Sequence, residues 1–195
     1  MKTLCISDFD DTLILTDSLV YILKSEKWYL RPSLIAAGIG IILSRVAPDH
    51  SLKSRSAFKK RVLEYYYKLP DEKKKKYTDI LRGKINQPII DDIKNKGFDR
   101  IVIVSASETG LIREVLSEVF AEVEVIANSL TGGPEDDNFE TCYGENKITR
   151  LSEVIPDYRD YEITVYTDSW SDKPLMEIAN QAYIVMGERI ERTIA

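Results

Sequence analysis

With 195 residues, of which 44% are hydrophobic and 30% charged, the chain has the make-up of one globular α/β domain with room for a modest insertion. Two cysteines cannot build a disulfide framework, which excludes the stapled secreted scaffolds and points to a reduced compartment. The net charge of −5 hides an asymmetry, because residues 16–95 carry 17 Lys/Arg against 9 Asp/Glu while the remainder carries 10 against 23, so that a basic segment facing an acidic body can steer an anion.

Residues 3–7, Thr3-Leu4-Cys5-Ile6-Ser7, are short, apolar and rich in β-formers, as in a buried strand. They run into Asp8-Phe9-Asp10-Asp11-Thr12-Leu13, whose carboxylates cut off any signal-peptide apolar region. The acidic run then stands at the C-terminal end of a strand, the edge at which open parallel sheets bind ligands.

From about 17 to 85 every signal is helical. Asp17 or Ser18 can cap Leu19-Val20-Tyr21-Ile22-Leu23, and Arg31-Pro32-Ser33 breaks that helix before the apolar segment 34–46. That segment carries Ser44 and Arg45 and is too short to span a bilayer, so a cytoplasmic protein is expected. Pro48-Asp49 makes a turn, and the single histidine, His50, follows it with no catalytic role. Ser51 can cap a helix with Phe58, Val62, Leu63 and Tyr66 on one side, and Pro70-Asp71 opens another. Lys73–Lys76 read as a solvated helix surface, and Trp28-Tyr29 and tyrosines 65–67 as helix packing rather than base-stacking platforms, so no nucleic-acid partner is expected.

Strand character returns at 100–104, after a helix over 88–96 closed by Gly97. A helix over 108–119, a strand over 122–126 and an excursion at Thr131-Gly132-Gly133-Pro134 follow. A helix over 147–154, a strand over 162–167, a helix over 173–179 and a last strand over 182–186 complete the chain. The alternation implies a doubly wound parallel, Rossmann-like sheet, with 1–15 and 86–195 forming the core and 16–85 a helical insert.

Polar residues recur at predicted strand ends or the helix starts after them: Asp8 and Asp10, Ser105, Lys147, Asp168 and Asp172. Closely packed carboxylates raise one another's pKa unless a cation compensates. A hard divalent cation with oxygen ligands suits them, and Mg²⁺ needs only one or two carboxylates because it keeps several waters.

These motifs resemble the haloacid dehalogenase-like (HAD) hydrolase superfamily in its order: Asp8-Phe9-Asp10-Asp11-Thr12, then Ser105 in Val104-Ser105-Ala106-Ser107, then Lys147 in Gly144-Glu145-Asn146-Lys147, then Asp168-Ser169-Trp170-Ser171-Asp172. The resemblance implies a HAD-like core with an all-helical C1 cap, similar to the phosphoserine-phosphatase-like branch. It implies Asp8 as nucleophile forming an aspartyl-phosphate and Asp10 as general acid and base. It implies Mg²⁺ held by the Asp8 carboxylate, the Asp10 carbonyl and Asp168, with Asp172 orienting metal-bound water. Ser105, the Ala106 backbone and Lys147 would hold phosphate oxygens. The dehalogenase branch, which attacks carbon, lacks the second aspartate, so Asp10 favours phosphoryl transfer.

Nine residues after the nucleophile, where that branch has an amine-binding Glu, stands Asp17, one methylene shorter. Lys53, Arg55 and Arg61 are candidates for a cap cation facing the far end of a small phosphorylated substrate. The apolar segment 34–46 with nearby cations allows another reading, a lipid-phosphate phosphatase of the phosphatidylglycerophosphate type in peripheral membrane contact. A third reading from another class is a Mg²⁺-dependent phosphoaspartate switch like a receiver domain, against which the insert and the motif order argue. The sequence sets no oligomeric state.

Overall fold

The computed structural model describes residues 2–30, 35, 52–130, 139 and 141–193, and of residues 28, 52–55, 58, 192 and 193 the backbone alone. The apolar segment 34–46 apart from Ile35, His50, Ser51 and the turn at 131–134 lie outside the described residues.

Strands β1 (Lys2–Ser7), β2 (Arg100–Glu108), β3 (Glu124–Asn128), β4 (Tyr161–Thr167), β5 (Gln181–Met186) and β6 (Arg189–Thr193) form one sheet in the order β3-β2-β1-β4-β5-β6. All neighbours pair parallel except β5 and β6, which pair antiparallel. The expectation of a last strand at 182–186 is corrected: Gly187, at φ 61°, turns the chain back into β6. That strand reads Arg-Ile-Glu-Arg-Thr, too polar to announce itself as sheet. Other boundaries also move: the helix expected over 108–119 spans Thr109–Leu116, that over 147–154 starts at Glu145, and that over 173–179 ends at Glu177. β2 continues past 104 to Glu108 with a register shift between Val104 and Glu108, and β3 starts at 124 rather than 122.

Helices are α1 (Ser18–Ser25), α2 (Leu52–Tyr67), α3 (Asp71–Arg82), α4 (Gln87–Lys96), α5 (Thr109–Leu116), α6 (Glu145–Val154) and α7 (Lys173–Glu177). Their ends follow local chemistry. The Asp17 carboxylate accepts from Val20 N at 2.8 Å and so caps α1. Gly97, at φ 62°, takes the left-handed conformation that stops α4.

Side chains alternate across the sheet. Leu4, Ile6, Val102, Val104, Ile163 and Val165 point to one face, where Leu151 and Ile155 of the α6 side and Leu175 of α7 pack on them. Cys5, Ile103 and Tyr166 point to the other, beneath α4 and α5. Each such buried aliphatic side chain stabilises the fold by about 1.5–3 kcal/mol. Both cysteines are buried free thiols.

The segment between β1 and β2 divides its packing. Tyr66, Leu69, Tyr77 and Leu81 join the core cluster beneath α4 and α5, and Thr78 Oγ1 donates to Glu114 of α5 at 3.0 Å. Leu19, Leu23, Val62 and Leu63 of α1 and α2 form a separate cluster against Leu130 and Phe139. The connectors run side by side: Leu15 N donates to Lys84 O and Asn86 N to Leu13 O, each at 2.8 Å. Among the described residues no helix is long and apolar enough to cross a membrane.

β1 lies between β2 and β4, so the order of strands reverses there. The crevice this creates at the C-terminal ends of β1 and β4 is where ligands bind in such sheets.

Candidate active site

Asp8 leaves β1 one residue beyond the Ser7↔Tyr166 pair, and its N–H still donates to Tyr166 O at 2.9 Å. The chain then folds over fully buried Phe9, whose carbonyl accepts from Leu13 N at 2.9 Å. Asp11 sits at φ 53°, a left-handed position that Asp tolerates better than most residues, so its part is to turn the chain. The Asp8 carboxylate accepts from Phe9 N at 2.8 Å.

Asp10 is half-buried and accepts from Ser18 N, the first amide of α1, at 2.8 Å. Burial pushes its carboxyl well above the usual range and the Asp17 charge adds to this; the Lys59 ammonium and the Ser18 hydrogen bonds oppose the shift. Ser18 Oγ also lies 2.5 Å from Ser107 Oγ, joining α1 to the C-terminal end of β2.

At that end of β2 the register shift takes residues 105–107 out of the β2–β3 ladder. Ser105 is buried, and its Oγ accepts from Ser107 N at 3.2 Å. Glu108 ends β2 by accepting from Leu111 N at 2.6 Å, capping α5, and from Tyr67 OH at 2.8 Å.

Lys147 enters from the first turn of α6 and is 2% exposed. Its ammonium stands 2.7 Å from Asp172 Oδ2 and 3.3 Å from Asp8 Oδ1. Burial alone would lower its pKa, but the two carboxylates outweigh this and raise it, so Lys147 is a fixed cation beside Asp8. Asp172 Oδ2 also accepts from Thr167 Oγ1 at 2.8 Å.

Asp168 follows β4, and burial, then the Asp8 and Asp11 charges, push its carboxyl up to about 7. Thr12 Oγ1 donates to it at 3.4 Å. Among the described residues no three His, Cys, Asp or Glu side chains make a metal cage of their own. The donors are instead few and oxygen-only, as Mg²⁺ accepts when it keeps its waters. Asp172 Oδ1 is buried without a hydrogen-bond partner, and Asp168 is crowded by like charges. Both are features that a divalent cation with retained waters relieves, so the residues present fit one.

The structure thus brings Asp8, Asp10, Ser105, Ala106, Lys147, Asp168 and Asp172 to one sheet edge. Asp17 serves as the α1 cap. The side chains of Lys53 and Arg55 lie outside the described residues, and Arg61 is on the exposed side of α2. Sequence reasoning passed over Lys59, half-buried on the inward stripe with Ser56 and Leu63. The spacing 56, 59, 63 marks one helix face, but five cations within the nine residues 53–61 masked which of them faced in. It also passed over Asn128, although that residue too is polar and ends a strand.

A family model described as haloacid dehalogenase-like hydrolase matches residues 5–177. No curated protein sequence matches the chain. Among solved structures, a protein with unknown function from Bordetella pertussis Tohama I aligns over 93% of this chain and 89% of its own, with TM-score 0.71 and 15% identity. A phosphoserine phosphohydrolase-like protein from Francisella tularensis subsp. tularensis SCHU S4 aligns over 93% and 86%, with TM-score 0.53 and 21% identity. Phosphoserine phosphatase from T. onnurineus aligns over 93% and 82%, with TM-score 0.54 and 16% identity. Likeness at these identities establishes a shared fold.

Proposed function

The chain belongs to the haloacid dehalogenase-like hydrolase family, and on that premise we propose that it is a Mg²⁺-dependent phosphatase acting through an aspartyl-phosphate on Asp8. The observation that carries the reading is Lys147, a buried ammonium 3.3 Å from the Asp8 carboxylate, with Asp10 two residues beyond. A carboxylate nucleophile approaching a phosphate dianion needs fixed positive charge at that place.

A carboxylate oxygen of Asp8 attacks phosphorus, the ester P–O bond breaks, and Asp10 gives its proton to the departing alkoxide. Asp10 then takes a proton from the water that displaces Asp8 from phosphorus, releasing inorganic phosphate and restoring both residues. Ser105 Oγ, the backbone amide of Ala106 and Lys147 bind the phosphoryl oxygens. Asp8, the Asp10 carbonyl and Asp168 would hold Mg²⁺, with Asp172 accepting from its waters. The bound ion supplies charge neutralisation between nucleophile and phosphate.

Residues 16–85 act as a cap over this edge, touching the end of β2 through Ser18 and bringing the Lys59 charge to bear on Asp10. A small soluble phosphomonoester with an anionic tail, in the cytoplasm, suits that cation. One observation favours a second reading: Tyr29 and Leu30 are 58% and 67% exposed just before the apolar segment, as suits lipid phosphates at a bilayer surface. Co-sedimentation with anionic liposomes separates the two, since no binding at low salt removes the lipid reading.

The deciding test is hydrolysis of p-nitrophenyl phosphate with and without Mg²⁺, by the unsubstituted chain and by Asp8→Asn. Mg²⁺-dependent turnover that vanishes in Asp8→Asn is expected, and turnover surviving that substitution refutes the assignment.

A further inference from the structure

Asn128 ends β3 with its side chain fully buried, and it makes three hydrogen bonds that no strand requires. Its Nδ2 donates to Ala106 O at 2.7 Å and to Thr141 Oγ1 at 3.2 Å, and its Oδ1 accepts from Cys142 N at 2.8 Å. A carbonyl can only accept and an amide N–H can only donate, so these partners fix which way the Asn128 amide faces.

The first bond bears on Ser105. Ala106 C=O and Ser107 N–H belong to one planar trans peptide, so holding the carbonyl orients the N–H on its opposite side. That N–H donates to Ser105 Oγ at 3.2 Å. With the oxygen so engaged, the Ser105 hydroxyl hydrogen has no acceptor among the described residues and is left for a ligand oxygen. The other two bonds hold Thr141 and Cys142, where the chain turns into α6. Thr141 O accepts from Tyr143 N at 2.9 Å and from Asn146 Nδ2 at 3.2 Å, the residue before Lys147. One amide therefore sets both the serine loop and the approach to the lysine.

We infer that Asn128 is a positioning residue for phosphate binding, which orients the Ser105 hydroxyl and braces the turn that leads to Lys147, the two groups that bind the phosphoryl oxygens. The inference rests on the phosphatase reading and extends it to a residue that touches neither substrate nor metal. None of the three side-chain hydrogen bonds of Asn128 goes to Asp8 or Asp168, so its loss acts on the phosphate and spares the metal.

The test compares the unsubstituted chain with Asn128→Asp, which keeps shape but replaces the donor to Ala106 O, and with Thr141→Val, which removes only the Thr141 acceptor. Orthovanadate inhibition, kcat/KM for p-nitrophenyl phosphate, the Mg²⁺ concentration for half-maximal rate and thermal unfolding are measured on each. Asn128→Asp is expected to weaken orthovanadate inhibition and lower kcat/KM together, by about tenfold, with Mg²⁺ dependence within about twofold of the original. Thr141→Val is expected to follow in the same direction by about threefold. Folded Asn128→Asp with unchanged orthovanadate inhibition overturns the inference, as does a Mg²⁺ requirement that rises in proportion to the lost phosphate affinity. If Asn128→Asp does not fold, Thr141→Val decides, and unchanged inhibition in it overturns the inference. Absence of Asp8-dependent turnover in the unsubstituted chain brings down the phosphatase reading and this inference with it, whereas intact turnover in every chain brings down the inference alone.

Discussion

The Lys147 ammonium lies closer to Asp172, at 2.7 Å, than to Asp8, at 3.3 Å, and both Lys147 and Asp172 are almost wholly buried. Asp172 therefore anchors the cation that stands beside Asp8. Removing one partner of a buried pair leaves the other charge poorly compensated, at about 3–5 kcal/mol. Asp172→Asn is expected to lower Tm by on the order of 10 °C, given about 2–4 °C per kcal/mol at this chain length. Its kcat should fall by at least about tenfold through misplacement of Lys147. Scanning calorimetry and steady-state assays check both, and a variant with unchanged Tm contradicts the anchoring role.

Asp10 is fastened to the first amide of α1 at 2.8 Å, and the acid role proposed for it depends on the leaving group. An alkyl phosphate needs the proton, whereas p-nitrophenolate leaves without it. Asp10→Asn should thus slow alkyl phosphate hydrolysis by about 10²–10⁴-fold. With p-nitrophenyl phosphate it should give a fast burst of up to one product per chain before a slow steady rate, because water still lacks its base. Equal losses on both substrates, with no burst, would argue against the acid–base role.

Lys59 acts on Asp10 from α2, while Arg61 two residues on is exposed. Lys59→Met should raise KM for phosphomonoesters bearing a second anionic group by about tenfold, the scale of one charge-assisted hydrogen bond. It should change KM for phenyl phosphate by less than about threefold, and Arg61→Ala should leave both near their original values. A uniform rise in KM across substrates would show that Lys59 supports the insert rather than reads the substrate.

Four of the strand-end positions were legible because their chemistry repeats at the same sheet edge: a carboxylate run after an apolar strand, then a serine, a lysine and an acidic pair. Asn128 stands at the same kind of edge, but its meaning lies in three partners from residues 106, 141 and 142, which no local pattern announces. β6 stayed hidden because an edge strand with charged, solvated residues carries little of the apolar alternation that marks a strand. The extension of β2 to Glu108 was illegible for a related reason. Serines at 105 and 107 look like helix caps, and only the register shift shows that the strand resumes at Glu108.

Glu26 gives the insert a pH dependence of its own. It is 6% exposed at the end of α1; burial would raise its pKa, but hydrogen bonds from Lys73, Tyr65 and Tyr77 outweigh this and lower it to about 2 from an ordinary 4.5. A depressed carboxylate stabilises the fold fully above its unfolded pKa and loses that contribution as pH falls through the folded one. Stability should therefore drop between about pH 5 and pH 2, by up to roughly 3 kcal/mol. Glu26→Gln should be less stable than the original chain at pH 7 and should show a flatter decline over that window. Parallel unfolding curves for the two chains across the acid range would refute this.

Asp168 is pushed up to about 7 by burial and by the Asp8 and Asp11 charges, a destabilising arrangement that a bound divalent cation would relieve. Two opposite effects follow for Asp168→Asn. In EDTA the variant should unfold at the same temperature as the original chain or higher, because a repulsive charge has gone. With Mg²⁺ the order should reverse: a ligand at about 100 times its Kd stabilises the chain that binds it by about 2.7 kcal/mol, or roughly 5–10 °C here, and the variant should gain little of this. The crossing of the two Tm values between EDTA and Mg²⁺ is independent of turnover. Equal Mg²⁺ shifts in both chains would remove Asp168 from the metal site even if Asp8 remained the nucleophile.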